Sequence, residues 1–151
     1  MSAASVAHST ITDRMNDQAA QCALSGDDLQ SLTAEVNRLR AHHGLSALAT
    51  DGSLSESAFD HARDIAAMKR LSHEGNDGAT FDIRAERRGY DAFPLAENIA
   101  YNQRDVPHVV RAWRDSPPHL KALLVDGADD VGFGRACSDD AEPYWVMVVG
   151  G

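Results

Sequence analysis

The sequence predicts an α+β domain in which helices pack on a small antiparallel sheet. Segments with helical patterns come first along the chain, and two apolar runs separated by an acidic, Pro-containing turn come last, which indicates a terminal hairpin. The 151 residues fit one hydrophobic core. With no internal repeat to suggest a second unit, we expect a tail over residues 1–27 and a single domain over residues 28–151.

The first part of the chain is predicted to be a partly flexible tail followed by two helices. Ser, Ala, Thr, Asn and Asp dominate the tail, which leaves room only for a short helix near Ile11 to Leu24. A helix over Leu29 to His43 is indicated by apolar residues at helical spacing before Gly44. A second helix follows Asp51-Gly52-Ser53 behind a serine cap, and its alanine-rich stripe implies close packing.

The remaining elements are shorter. Glycines and turn-forming residues in the segment Leu71–Gly78 predict a loop, which presents His73. The later elements are expected to be a helix over Phe81–Arg88, a strand or turn over Ala96–Tyr101, helices over Val106–Asp115 and Pro117–Val125, and central paired strands over Val131–Cys137 and Tyr144–Val149.

Charge and hydropathy exclude some classes of partner. The chain has 14 Lys and Arg against 23 Asp and Glu, and the net charge of −9 repels nucleic acid and anionic lipid heads. The basic segment Arg84–Arg88 is interpreted as a solvated helix face. No run approaches the roughly 20 apolar residues of a membrane helix, so we expect no membrane insertion. Residues Met1–Thr12 lack a signal-peptide pattern, which fits a cytosolic protein or a mature form whose leader was removed.

The residue types that carry chemistry are few. Two cysteines, Cys22 and Cys137, leave a disulfide and two unrelated thiols equally open. Among the histidines, His61 is expected on the exposed side of the second helix. His73 and His119 each follow a serine near a loop-to-helix transition, where loops present polar groups from a rigid scaffold. Local sequence gives no reason for these two side chains to meet in space.

Five short segments, in order, resemble the bacterial branch of the CAP superfamily, also called the SCP domain, which includes cysteine-rich secretory proteins, antigen 5 and plant pathogenesis-related proteins of group 1. The resemblance covers roughly Leu29 to Gly151. The segments are Asn37-x-x-Arg40-x-x-x-Gly44-Leu45, Leu71-Ser72-His73, Ala96-Glu97-Asn98-Ile99-Ala100, Trp113-x-x-Ser116-Pro117-Pro118-His119 and Val131-Gly132-Phe133-Gly134.

The resemblance implies an α-β-α sandwich whose cleft carries two histidines and two acidic residues and, in some members, binds a divalent metal such as zinc. His73, Glu97 and His119 match three of these positions. The fourth is Ser116, with Asp115 one residue away and therefore rotated on the helix. The expected ligand-binding cleft consists of His73, Glu97, Asn98, Ser116 and His119.

The missing acid allows two interpretations of this cleft. His73, His119 and Glu97 form a common zinc ligand set, and the absent fourth group would leave a water-filled position and weaker binding. Alternatively, Glu97 holds one imidazole by a charge-assisted hydrogen bond that raises its pKa, and no metal binds.

Three functions follow from the resemblance. The first is an exported, extracellular or periplasmic monomer that binds a divalent metal, a small polar ligand or an extracellular partner without catalysis; export favours a Cys22–Cys137 disulfide. The second is a protease-like or cell-wall-directed hydrolase that uses Ser72, Ser116 or a water activated by Glu97. The third is a surface interaction module with a purely structural cleft. Sterol binding is not implied, because the longer eukaryotic signature segments are absent from the sequence.

Overall fold

The structure, a computed structural model, describes residues 22–151. The predicted short helix near Ile11 lies almost entirely outside this range. Within it the elements are α1 (Gly26–His42), β1 (Ala49–Thr50), α2 (Gly52–Met68), α3 (Phe81–Arg87), β2 (Pro94–Tyr101), α4 (Val106–Arg114), α5 (Pro117–Leu123), β3 (Asp130–Cys137) and β4 (Pro143–Gly150).

The four strands form one mixed sheet in the order β1-β3-β4-β2. The predicted hairpin of β3 and β4 lies at its centre, and β2 pairs antiparallel with β4 at one edge. At the other edge, the two-residue strand β1 runs parallel to β3, so the sheet is not purely antiparallel as expected. Helices cover both faces, and the predicted α+β class and α-β-α sandwich are confirmed.

Side-chain alternation along β4 divides the core between the two helical layers. Trp145, Met147 and Val149 pack with residues of α1, α4 and α5. Val146 and Val148 pack on the opposite face with residues of α2 and α3. Because successive residues of a strand point to opposite faces, this apolar strand is buried on both sides.

The helix starts differ slightly from prediction. Helix α1 begins at Gly26, earlier than expected, because Ser25 and Asp28 form a reciprocal capping box. Helix α2 is capped by Asp51 rather than by Ser53: the Asp51 carboxylate accepts the Leu54 N–H at 2.9 Å.

Two polar residues of α1 connect the helix to distant parts of the chain. Asn37 exchanges two hydrogen bonds with the main chain of Leu48, which precedes β1. The buried Arg40 guanidinium donates to the carbonyls of Leu123 and Val125, at the end of α5. The Asn37-x-x-Arg40 segment therefore has a structural role, and Arg40 fixes the helix that carries His119.

Helix α2 lies unusually close to β3 because two strand residues lack side chains. A Cβ on Gly132 would overlap the main chain at Leu54 and Ser55, and one on Gly134 would overlap the main chain at Ala58 and Phe59. The obstructing atoms are mostly helix backbone, so they cannot move without shifting α2 as a whole.

We therefore expect Gly134→Ala to lower the free energy of unfolding by at least about 2 kcal/mol, since overpacking here displaces a helix. Urea denaturation measures the loss. Gly52→Ala is the matched control: this glycine is the first residue of α2, has open space around its Cβ position and has no positive φ. Equal stability of Gly134→Ala and wild type would show that α2 is not held this closely.

Candidate functional site

Glu97 is the central residue of the candidate site. Strand β2 begins at Pro94, so Glu97 lies inside the strand, and its side chain is fully buried. One carboxylate oxygen, Oε1, accepts a hydrogen bond from His73 Nδ1 at 3.0 Å. The other, Oε2, accepts from Arg84 Nη2 at 2.5 Å. Both oxygens are therefore engaged by side chains of this chain.

His73 lies on the loop that follows α2. The helix ends at Met68, and the C-cap residue Lys69, with a φ of 50°, turns the chain out of the helix. The loop is then tied back to α2, because the Asn76 N–H donates to Asp64 Oδ2 at 3.1 Å. The His73 side chain is 60% exposed, so one nitrogen of its ring meets a buried carboxylate while the ring itself remains accessible.

His119 approaches from the other helical layer. It is the third residue of α5, directly after Pro117 and Pro118, and its main-chain carbonyl accepts a hydrogen bond from Asn98 Nδ2 at 2.9 Å. Asn98 follows Glu97 in β2, so the two side chains point to opposite faces of the sheet. From the edge strand β2, Glu97 thus reaches the loop that carries His73, and Asn98 reaches the helix that carries His119.

The two imidazoles have opposite electrostatic environments. The hydrogen bond from His73 to the Glu97 carboxylate raises the pKa of His73 above its usual value. Burial lowers the pKa of His119, and the neighbouring charge of His73 lowers it further. The pKa values of the two histidines are therefore shifted in opposite directions.

His61 was predicted on the exposed side of its helix, and that prediction is wrong. Its side chain is fully buried, with Nε2 2.6 Å from the Ser72 carbonyl and 3.9 Å from Glu97 Oε1. Burial lowers the pKa of His61, which favours the neutral ring. Its spacing from Leu54, Ala58 and Ile65 continues the apolar stripe of α2, and that spacing was the signal for its burial.

Arg84 also contradicts its prediction as part of a solvated face. Its side chain is only 5% exposed and is paired with Glu97. The neighbouring Arg87 and Arg88 are exposed as expected, and pair with Asp77 and Asp60. No local pattern distinguishes Arg84 from its two neighbours.

Ser116 stands at the position of the second acid in the family pattern. Ser116 is the N-cap residue of α5, without a capping hydrogen bond from its side chain. Asp115 is 61% exposed and pairs with Arg114. Within residues 22–151, no group of three or more His, Cys, Asp or Glu side chains is arranged to hold a metal ion. The ligand set of His73, Glu97 and His119 stays a prediction.

The disulfide between Cys22 and Cys137 is present and connects the residues before α1 to the end of β3. The Arg135 guanidinium strengthens this connection, since its Nε donates to the Cys22 carbonyl at 2.8 Å. Across residues 22–151, no helix combines the length and the apolar character needed to span a membrane.

The structure is thus an α-β-α sandwich domain whose edge strand carries a buried glutamate, Glu97, hydrogen-bonded to His73. The profile described as CAP: Cysteine-rich secretory protein family matches residues 33–149. The chain belongs to this family.

Relatives of known sequence or structure agree with this membership. The chain is 36% identical over 99 residues to YlbC of Bacillus subtilis, named an uncharacterized membrane protein; the match covers 66% of this chain but only 29% of that relative. An outer surface protein from Borrelia burgdorferi superposes with a TM-score of 0.75 at 25% identity, covering 85% of this chain and 96% of the other. An extracellular SCP-domain protein from Bacillus anthracis gives a TM-score of 0.69 at 23% identity, covering 83% and 44%.

The histidine environments lead to a pH prediction. We expect His73 to titrate above about 6.5 and His119 below it. The raised pKa makes the His73 contribution to stability complete below about pH 6.5, and it is lost as pH rises through the folded-state pKa. The stability contribution of His119 has the opposite pH dependence, because its folded-state pKa is lowered: the contribution is complete above about pH 6.5 and is lost as pH falls.

Proton NMR of the imidazole signals measures both values. Glu97→Gln removes the negative acceptor and should lower the pKa of His73. A His73 that titrates below His119 in the wild type would contradict the proposed hydrogen bond to Glu97.

Proposed function

We propose that this chain is an exported CAP domain whose cleft binds a small polar ligand or a divalent cation through His73 and His119, without chemical turnover. The observation that carries the proposal is an accessible imidazole oriented by a buried carboxylate. His73 Nδ1 is hydrogen-bonded to Glu97, and this leaves Nε2 as the nitrogen that offers a lone pair to a ligand.

The donor set fits a divalent cation such as zinc in a limited way. Two imidazoles are good zinc ligands, and a carboxylate hydrogen-bonded to the far nitrogen of a ligating histidine is a common supporting arrangement. Glu97 suits this supporting role better than direct coordination, because both of its oxygens are already engaged. With Ser116 in place of an acid, water would complete the coordination, which implies weak binding.

Export is supported by two independent observations. The Cys22–Cys137 disulfide is typical of proteins in oxidising compartments. The structural relatives include an outer surface protein and an extracellular protein. We therefore propose an extracellular or periplasmic location for this domain.

The hydrogen bonds of the described residues do not support a hydrolase that uses a serine nucleophile activated by a histidine. Ser72 Oγ accepts the Glu74 N–H at 3.1 Å, which is the local pattern of a turn. A nucleophilic serine requires a base within hydrogen-bond reach, and no hydrogen bond between a serine hydroxyl and a histidine ring occurs within residues 22–151.

Zinc titration by calorimetry tests the cation form of the proposal. We expect saturable binding to the wild type, and His73→Ala or His119→Ala should weaken it by at least about tenfold, because each removes a donor nitrogen. His42→Ala is the matched control, since this exposed histidine ends α1, a helix that carries none of the predicted cleft residues.

The absence of saturable zinc binding to the wild type would contradict the cation form. Zinc binding that survives His73→Ala and His119→Ala together would place the metal elsewhere. If His119→Ala unfolds the domain and no ligand of the wild type is found, the cleft has a structural role instead.

A further inference from the structure

Arg84 touches two groups that must be aligned for the cleft to form. It belongs to α3, and its guanidinium Nη2 donates to Glu97 Oε2 at 2.5 Å. The same nitrogen lies 3.4 Å from the main-chain carbonyl of His73. One buried cation therefore contacts both the carboxylate that orients the His73 ring and the backbone that carries it.

The contact with Glu97 fixes the plane of the carboxylate. A glutamate side chain has three rotatable bonds, and a single hydrogen bond from an exposed ring on a loop restrains them weakly. With Oε2 bound to the guanidinium, the other oxygen, Oε1, is presented to His73 Nδ1. Because the Arg84–Glu97 pair is buried, solvent screens it less than it would screen an ion pair on the surface.

The same loop has two further anchors, both from α2. His61 Nε2 donates to the Ser72 carbonyl, and the Asp64 carboxylate accepts the Asn76 N–H. These anchors hold the main chain on either side of His73 but do not orient its ring. Arg84 differs from them because it donates a hydrogen bond to Glu97, the partner of the ring, whereas His61 Nε2 lies 3.9 Å from that carboxylate, beyond hydrogen-bond distance.

We propose that Arg84 is the positioning residue of the cleft: by holding Glu97 Oε2 beside the His73 carbonyl, it directs the outer nitrogen of His73 toward the bound ligand. This inference rests on the proposed function for its ligand, but the orientation of His73 is a property of the free protein. Arg84 touches no ligand itself and acts through Glu97.

A double-mutant cycle with zinc as the probe tests the mediated effect. Arg84→Met and Glu97→Gln should each weaken zinc binding by about 10- to 100-fold, the range expected for partners of metal-binding histidines. The double variant should bind no more weakly than Glu97→Gln alone, because Arg84 has no effect once its intermediary is removed. Losses that multiply in the double variant would overturn the proposal.

Two further variants separate positioning from general stability. Arg88→Met removes an exposed cation next to α3 that pairs with Asp60 on α2, and it should leave zinc affinity within about twofold of the wild type.

Arg84→Lys keeps the charge. Within residues 22–151, Arg84 Nη1 is buried without a hydrogen-bond partner, so Nη2 makes both contacts and a single ammonium can partly replace it. We expect Arg84→Lys to recover part of the affinity, and recovery no better than in Arg84→Met would argue against the proposal.

Nitrogen NMR of the His73 ring, recorded without metal at alkaline pH, provides a readout that does not depend on ligand binding. The wild type should show one fixed tautomer with the proton on Nδ1, and folded Arg84→Met should show averaged nitrogen shifts. If Arg84→Met fails to fold, Arg84→Lys is measured instead and should show partial averaging. An unchanged tautomer in the folded variant would refute the positioning role. If instead the wild type binds no zinc, but the tautomer changes as expected between the wild type and the Arg84 variant, only the cation form of the proposed function is refuted.

Discussion

The buried carboxylate of Glu97 is the constraint on which the cleft depends. A carboxylate removed from water must be paired, because an unpaired buried charge costs several kcal/mol. Arg84 from α3 and His73 from the loop after α2 each engage one oxygen of this group. Burial of Glu97 in β2 is thus compatible with folding only when a helix, a loop and a strand meet at one point. The position of the accessible histidine is a result of that requirement.

The place of β2 at the sheet edge explains how neighbouring residues of one strand contact the segments that carry two histidines in different layers. Glu97 faces the layer of α2 and α3, whereas Asn98 faces the layer of α5 and holds the carbonyl of His119. A central strand would be covered on both sides by neighbouring strands, but the edge leaves room where the layers separate. At the C-terminal end of α5, Arg40 hydrogen-bonds the carbonyl of Leu123 and so contributes indirectly to the position of His119.

Periodicity and turn residues predicted the helices, the central hairpin and the α+β class because these signals are local. His61 was misplaced because a histidine was treated as polar, although its spacing continued an apolar stripe. Arg84 could not be recognised from its neighbours, since its burial depends on Glu97, 13 residues later on another element. The expectation that His73 and His119 share one cleft has no local signal either, and only the family resemblance suggested it. What sequence reasoning missed is therefore the pairing of charges between distant segments.

The alternation of Glu97 and Asn98 across the sheet edge has a thermodynamic consequence. A ligand that contacts both His73 and His119 would join the two helical layers, and unfolding would require its release. Its binding free energy then adds to the stability of the fold, by about 2.7 kcal/mol at a concentration 100 times the dissociation constant. For a domain of this size, that corresponds to a rise of several degrees in melting temperature. A ligand that undergoes no reaction and gives no optical signal is therefore still detectable, because it raises the melting temperature of the domain.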